Sequence, residues 1–316
     1  MTLNEIRPAD RLMLLDTASL YFRAFYGVPD SMTAPDGTPV NAVRGLLDFI
    51  ARLTLDRPPT ELVACWDDDW RPDFRVAAIP SYKAHRVDTE IGSGSAAEEI
   101  PDTLAPQIPI IIDVLAALGI ARIGSPGYEA DDVIGTLTAQ SRGPVDVVTG
   151  DRDLFQLVDD SRPVVVLYTA RGVGRRALVD EAWVSAKYAI PGRAYADFAT
   201  LRGDPSDGLP GVVGVGDKTA ATLITTYGSL AAVRAAALDP RSGLKAAIRT
   251  KLAASSDYLD VAPRVVQVAP DAPLPHVDMS LPSSAANDEA LQFLAERWGL
   301  TSSIKRVQAA FAEVTS

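Results

Sequence analysis

The chain of 316 residues has a single cysteine, Cys65, so no disulfide can form within it. It has two histidines, His85 and His276, and neither stands in a pattern that fits a general base. No apolar run is long enough to cross a bilayer: the longest, Ile108 to Leu118, is short and broken by proline. The N-terminus, MTLNEIRPAD, lacks the charged-then-apolar layout of a signal peptide. These absences point to a cytoplasmic protein with no membrane role. Positive charge is also scarce, with 30 Lys and Arg against 41 Asp and Glu, a net charge of −11. Taken alone, that argues against a phosphate-rich partner. The objection weakens if the acids are concentrated where cations bind and the bases are grouped.

What is present is ordinary globular composition, 47% hydrophobic and 22% charged, at a length that can bury a full core. There are no internal repeats. Three short apolar runs read as buried strands. Leu12 to Leu15 ends in Asp16, Leu62 to Trp66 ends in Asp67, and Val145 to Thr149 leads through Gly150 to Asp151. Helical spacing lies between them: Val43, Leu46, Leu47, Ile50 and Leu53, then Val133, Ile134, Leu137 and Thr138. This alternation predicts an α/β fold with a mostly parallel sheet flanked by helices. In such sheets ligands bind beyond the carboxyl ends of the strands. One aspartate there is readily a helix N-cap; three in the same position suggest a site.

The acids fall into four groups. Asp16 and Asp67 close strands. Glu129, Asp131 and Asp132 open a helix, Asp151 and Asp153 follow a strand, and Asp204 and Asp207 precede a glycine-rich turn. Glu129 and Asp132, three apart, share one helix face. Carboxylates are hard oxygen ligands suited to Mg²⁺ or Mn²⁺, and a pair of such ions can hold both oxygens of a phosphodiester displacement. The plainer alternatives are first-turn acids complementing a helix dipole, and an Asx-capped turn.

The turn Leu209-Pro-Gly-Val-Val-Gly-Val-Gly-Asp-Lys-Thr219 is not a nucleotide-triphosphate loop. Asp217 intrudes between Gly216 and Lys218, and no strand precedes it. It also lacks the dinucleotide G-x-G-x-x-G. Glycines at 211, 214 and 216 before a helix suit backbone N–H contact with DNA phosphates. An ordinary packing corner between helices is the alternative.

The segments LLDTASLYFRAFYGVP (14–29), FRVAAIPSYKAHR (74–86), GYEADDVIGTL (127–137), TGDRDLFQL (149–157) and RGDPSDGLPGVVGVGDKTA (202–220) resemble the bacterial and phage 5′ nuclease family. That family includes flap endonucleases and the 5′-nuclease domain of DNA polymerase I. The matches run in family order over roughly residues 12 to 230. The resemblance implies a PIN-like α/β core over 1–185, with a helical arch at about 70–100. It implies a helical DNA-binding region over 186–316, with a helix–three-turn–helix at about 204–227.

It also implies a structure-specific 5′ nuclease, a flap endonuclease and 5′-to-3′ exonuclease of replication and repair. Two, or up to three, Mg²⁺ or Mn²⁺ ions would be held by Asp16, Asp67, Glu129, Asp131, Asp132, Asp151, Asp153, Asp204 and Asp207. K⁺ would sit on the carbonyls of residues 211–216. Lys83 and Arg86 match the basic pair over the scissile phosphate, supplying charge to the transition state of an in-line hydrolysis without covalent intermediate. Arg23, Arg75, Tyr82, Gly211, Gly214, Gly216, Lys218 and Thr219 fall in motifs expected to touch DNA, with Arg202, Lys245, Arg249 and Lys251 nearby. The expected partners are DNA with 5′ flaps, gaps or free ends, and 5′ strands containing RNA, bound by a monomer.

Three departures stand out. Gly208 replaces the Asn usual in the family's S-D-N and is expected to loosen Asp207. The triple Asp67-Asp68-Asp69 blurs the ligand assignment, with Asp67 the best fit. A Gly/Ser stretch at 92–95 suggests a flexible arch. Three readings compete. A single-strand ribonuclease of the wider PIN superfamily would not need the hairpin and arch. A non-catalytic scaffold would not need the full acidic set. A domain cut from polymerase I is disfavoured by a chain running from Met1 to Ser316 without polymerase sequence, so a stand-alone nuclease is expected.

Overall fold

Residues 10–87 and 100–315 are described by a computed structural model. The far part of the expected arch, including the Gly/Ser stretch 92–95, lies outside the described residues.

Six strands form one sheet: β1 (Leu12–Asp16), β2 (Glu61–Cys65), β3 (Ala121–Ile123), β4 (Val145–Thr149), β5 (Val164–Tyr168) and β6 (Ala177–Val179). Their order is β3-β2-β1-β4-β5-β6, all parallel except β6, which pairs antiparallel with β5. The fold is thus the expected mostly parallel α/β sheet. From β1 the chain adds β2 and β3 on one side and then crosses over to add β4 on the other, so the strand order reverses between β1 and β4. Side chains with period two send Leu12 and Leu14 to one core and Met13 and Leu15 to the other. Both faces are therefore buried, as parallel sheets require.

One face is covered by α1 (Thr17–Gly27), α2 (Asn41–Asp56) and α4 (Gln107–Leu118). The other carries α3 (Asp73–Ala78), α5 (Ala130–Gln140), α6 (Glu181–Tyr188) and α7 (Tyr195–Arg202). Continuous with it are α8 (Asp217–Tyr227), α9 (Leu230–Leu238), α10 (Ala246–Ala254) and α11 (Ser256–Val266). The last two helices, α12 (Asp288–Arg297) and α13 (Thr301–Thr315), return to the α2–α4 face. Ile304, Val307 and Phe311 bury there with Leu46 and Leu47, and Arg306 reaches Asp48 at 2.7 Å. Within 186–316 the helices thus divide between the two faces of the sheet, and the last two close the α2 face with their apolar stripe. No single helix among the described residues is long and apolar enough to cross a membrane.

Candidate active site

At the reversal point the carboxyl ends of β1, β2 and β4 open into a cleft of about 390 Å³. Its acidic lining is Asp16, Asp67, Glu129, Asp131 and Asp151; Lys83, Arg86 and Arg152 supply positive charge. Asp16 caps α1 by accepting from the Ser19 amide at 3.1 Å, while its second oxygen accepts from the Thr149 hydroxyl at 2.6 Å. Capping α1 therefore does not remove Asp16 from the cleft lining. Asp67 accepts from the Ala130 amide at 2.9 Å, at the start of α5. Asp68 and Asp69 turn elsewhere: Asp68 lies against Gly124, and Asp69 accepts from the Arg71 amide at 3.2 Å.

The remaining acids divide by their partners. Asp132 is buried and takes both terminal nitrogens of Arg75, at 2.7 and 2.9 Å. It also accepts from the amides of Glu129 and Ala269, which leaves it no free face toward the cleft. For Asp132 the first-turn reading describes what is seen. Asp204 is held by Arg152 and Arg202 at 3.0 and 3.1 Å. Asp207 pairs with Arg86 at 2.8 Å. Asp153 has a buried Oδ1 with no hydrogen-bond partner.

Arg75 and Tyr82 do not reach the surface. They are 2% and 4% exposed, so the expected DNA contacts at these positions are corrected. Arg75 binds Asp132, Glu129 at 3.0 Å and the Val265 carbonyl at 3.0 Å. The Tyr82 hydroxyl donates to Glu129 at 2.7 Å. A short aromatic-basic segment reads as a surface strip in sequence, but here the buried carboxylates of α5 draw it inward. Lys83 also pairs with Glu129, and its backbone sits at φ +47°, a strained conformation for a non-glycine residue. The strain is held from two sides, since the Lys83 amide donates to the Asp207 carbonyl at 3.0 Å.

Gly208 does not loosen Asp207. It has φ +71°, and a Cβ there would lie 2.1 Å from the Ser81 carbonyl oxygen. The Ser81 hydroxyl donates to the Gly208 carbonyl at 2.8 Å. The missing side chain lets the 204–208 turn seat directly on the segment carrying Lys83 and Arg86. The glycine turn then leads to α8, with Lys218 exposed in its first turn and Val213 79% exposed at its tip. Gly211 (φ +66°) packs against the Arg202 backbone, whereas Gly216 faces open space. The Gly214 carbonyl accepts from the Lys251 ammonium at 2.7 Å.

Burial and mutual repulsion hold protons on this cleft. Burial raises Asp16 to about 7 against the Thr149 hydrogen bond, with Asp67 and Asp151 adding to the rise. Burial also leads the rise of Asp67, of Asp131 and of Asp153, the last two well above the usual carboxylate range. Asp207 rises to about 6, through burial that Lys83 only partly offsets. Glu129 goes the other way: burial is outweighed by Lys83 and Arg75, and its pKa falls. Among the described residues no three such side chains are gathered tightly enough to hold an ion between them. Like charges keep the carboxylates apart, and Lys83, Arg86 and Arg152 pair with Glu129, Asp207 and Asp204.

Reasoning from sequence missed Thr149, Arg152 and Ser19. Thr149 and Arg152 lie inside the segment that carries Asp151; Ser19 follows Asp16 by three and accepts from the Gly150 amide at 2.8 Å. Capping spacing was the available signal for Ser19.

A doubly wound sheet with an acid-lined cleft at its reversal point, flanked by a basic segment and a glycine hairpin, defines a hydrolase of phosphate esters. Residues 11–189 match the family described as 5'-3' exonuclease, N-terminal resolvase-like domain, and residues 190–289 the 5'-3' exonuclease, C-terminal SAM fold. A 5'-3' exonuclease of Streptomyces coelicolor is 62% identical over 295 residues, covering 93% of this chain and 98% of that protein. One of Mycobacterium tuberculosis is 53% identical over 311 residues, covering 95% and 97%. The solved T5 5'-exonuclease has the same fold at 16% identity, with a TM-score of 0.62 over 97% of this chain and 100% of that one. The chain belongs to the 5'-3' exonuclease family and is a 5′ nuclease.

Proposed function

We propose that this nuclease selects DNA by shape, cutting at 5′ flaps, gaps and free 5′ ends in replication and repair, and accepting 5′ strands that contain RNA. The observation that carries this reading is the joining of cleft and hairpin. The turn at Gly208 seats the DNA-gripping hairpin on the Lys83–Arg86 segment, beside Asp16, Asp67, Glu129, Asp131 and Asp151. A duplex held by the hairpin would present its strand end to the cleft.

The donor set fits divalent cations. It is all oxygen, burial and neighbouring acids push the carboxyls of Asp16, Asp131 and Asp153 upward, and Asp153 keeps an unpartnered buried oxygen. Asp16, Asp67, Glu129 and Asp131 would form one ligand group, and Asp153, Asp204 and Asp207 a second, with Asp151 shared. Two Mg²⁺ or Mn²⁺ ions suit this division; the T5 5'-exonuclease has been solved with zinc. Bound there, such ions would activate water and offset phosphate charge. Asp132 has a separate role: with Arg75 it fixes the start of α5 and so aims Glu129 and Asp131.

Lys83 pairs with Glu129 and Arg86 with Asp207; with cations held by those carboxylates, both bases would be free to face the phosphate. Phosphates of the duplex would meet the amides at Gly214 and Gly216, Thr219 and Lys218, with Arg23 in the groove beside the cleft; Gly211 is buried with its backbone hydrogen-bonded to Tyr258 and shapes the turn instead. The Lys251 ammonium already meets the Gly214 carbonyl, so K⁺ there would have to displace it. Functionally, a nuclease unit extends to about residue 185, and the DNA-gripping helices follow it up to α11. We place the enzyme in the cytoplasm, acting as a monomer.

The test compares end-labelled 5′-flap, gapped and nicked DNA with single-stranded RNA, in Mn²⁺ or Mg²⁺. Cuts near the flap junction, with RNA untouched, are expected. Preference for single-stranded RNA would overturn the reading.

A further inference from the structure

Beside the acidic cleft, and sharing Ser19, Phe22 and Gly150 with it, runs an open groove of about 810 Å³. Its electrostatic character is opposite. Arg23 from α1 and Arg171 and Arg175 from the β5–β6 connection line it, and no carboxylate does. Arg23 donates to the Ala170 carbonyl at 3.1 Å, which fixes α1 to that connection, while its buried Nε has no partner. Arg171 and Arg175 have no ion-pair partner among the described residues and are exposed. Tyr26, 74% exposed, stands at the rim with its ring edge-on to Phe25 at 5.0 Å.

Tyr26 thus presents an open aromatic face to the same groove as the three guanidinium groups. Guanidinium groups tracking a backbone, with rings for base stacking, are the means by which proteins hold unpaired nucleotides without reading sequence. A polynucleotide crossing the acidic cleft must also leave it, and this groove is the adjoining exit lined by positive charge. We propose that the groove is a second nucleic-acid subsite, binding one or a few unpaired nucleotides next to the cut. Arg171 and Arg175 meet phosphates, and Tyr26 stacks on a base. The identity of the polymer rests on the nuclease reading above; the subsite itself rests on the groove. Two strands could supply these nucleotides: the strand being cut, or the end of its neighbour at the junction.

The test uses the full chain, as wild type, as Tyr26→Ala and as Arg171→Ala/Arg175→Ala, all surface changes. Binding of a labelled single-stranded tetrathymidylate is followed by fluorescence anisotropy in chelator. In parallel, kcat/KM is measured with Mn²⁺ on three junction substrates: unpaired nucleotides on the cut strand, an unpaired nucleotide on the neighbouring strand, and neither. Both variants are expected to weaken tetrathymidylate binding by at least about fivefold. On one of the first two substrates they are expected to lose at least about tenfold more kcat/KM than on the third. The substrate that suffers identifies the strand. Equal losses on all three, or oligonucleotide binding equal to wild type, overturns the proposal. A wild type that cuts nothing, with binding still weakened in the variants, would sink the nuclease reading and leave the groove standing.

Discussion

Arg75 donates through both terminal nitrogens to Asp132 and touches Glu129, so removing its guanidinium leaves two buried carboxylates without a cation. Breaking a buried pair from one side costs about 3–5 kcal/mol. Arg75→Met is therefore expected to lower unfolding free energy by that amount, measured by urea denaturation; a loss near zero would return Arg75 to a surface role. Asp151 lies exposed in the cleft with no base paired to it among the described residues. Asp151→Asn is expected to abolish cleavage while thermal stability and DNA binding stay close to wild type. Loss of all three together would make Asp151 structural. These two residues mark what spacing reveals and what it hides. The position of Asp151 after a strand already placed it at the sheet's carboxyl edge. Whether a basic residue such as Arg75 faces water or a buried acid depends on what packs over it, and no local pattern carries that.

Strand ends were legible because β1, β2 and β4 are short and mostly apolar, as strands buried on both faces are, and each is closed or followed by an aspartate. The glycine turn was legible as a turn that opens a helix. Its docking onto Ser81 was not, because a substitution by glycine looks like a loss until the close approach is seen. Nor was the return of α13 to α2, a contact between segments more than 250 residues apart, exemplified by Arg306 and Asp48. At this scale the hairpin makes the testable claim. If Lys218 neutralises one DNA phosphate, Lys218→Ala reduces the slope of log affinity against log salt by about 0.9. Binding measured in chelator across a salt series checks it, and an unchanged slope would exclude Lys218 from the interface.

For the whole molecule, the net charge of −11 is partly a property of one cleft. Asp16 is raised to about 7 and Asp207 to about 6, and Asp67, Asp131 and Asp153 are raised as well, burial being the leading cause in each. The folded protein then holds protons that the unfolded chain releases above about pH 4. Where the folded state binds more protons, stability falls as pH rises. In chelator, the melting temperature is expected to fall between about pH 5 and about pH 8. Glu129 and Asp204 are lowered instead and contribute oppositely, but their effect is already complete above about pH 5. Saturating Mn²⁺ should flatten the decline, because ligation replaces the protons. A chelated protein whose stability rises over that range would contradict the charge assignment.

The most direct measurement is a divalent-metal titration of cleavage on an end-labelled 5′-flap DNA, with the metal-stripped enzyme as its starting point. Cleavage should be absent in chelator and rise saturably with Mn²⁺ or Mg²⁺, with cuts mapping to the flap junction. Equal cleavage in chelator and in metal would contradict the central claim that the acidic cleft is a cation site.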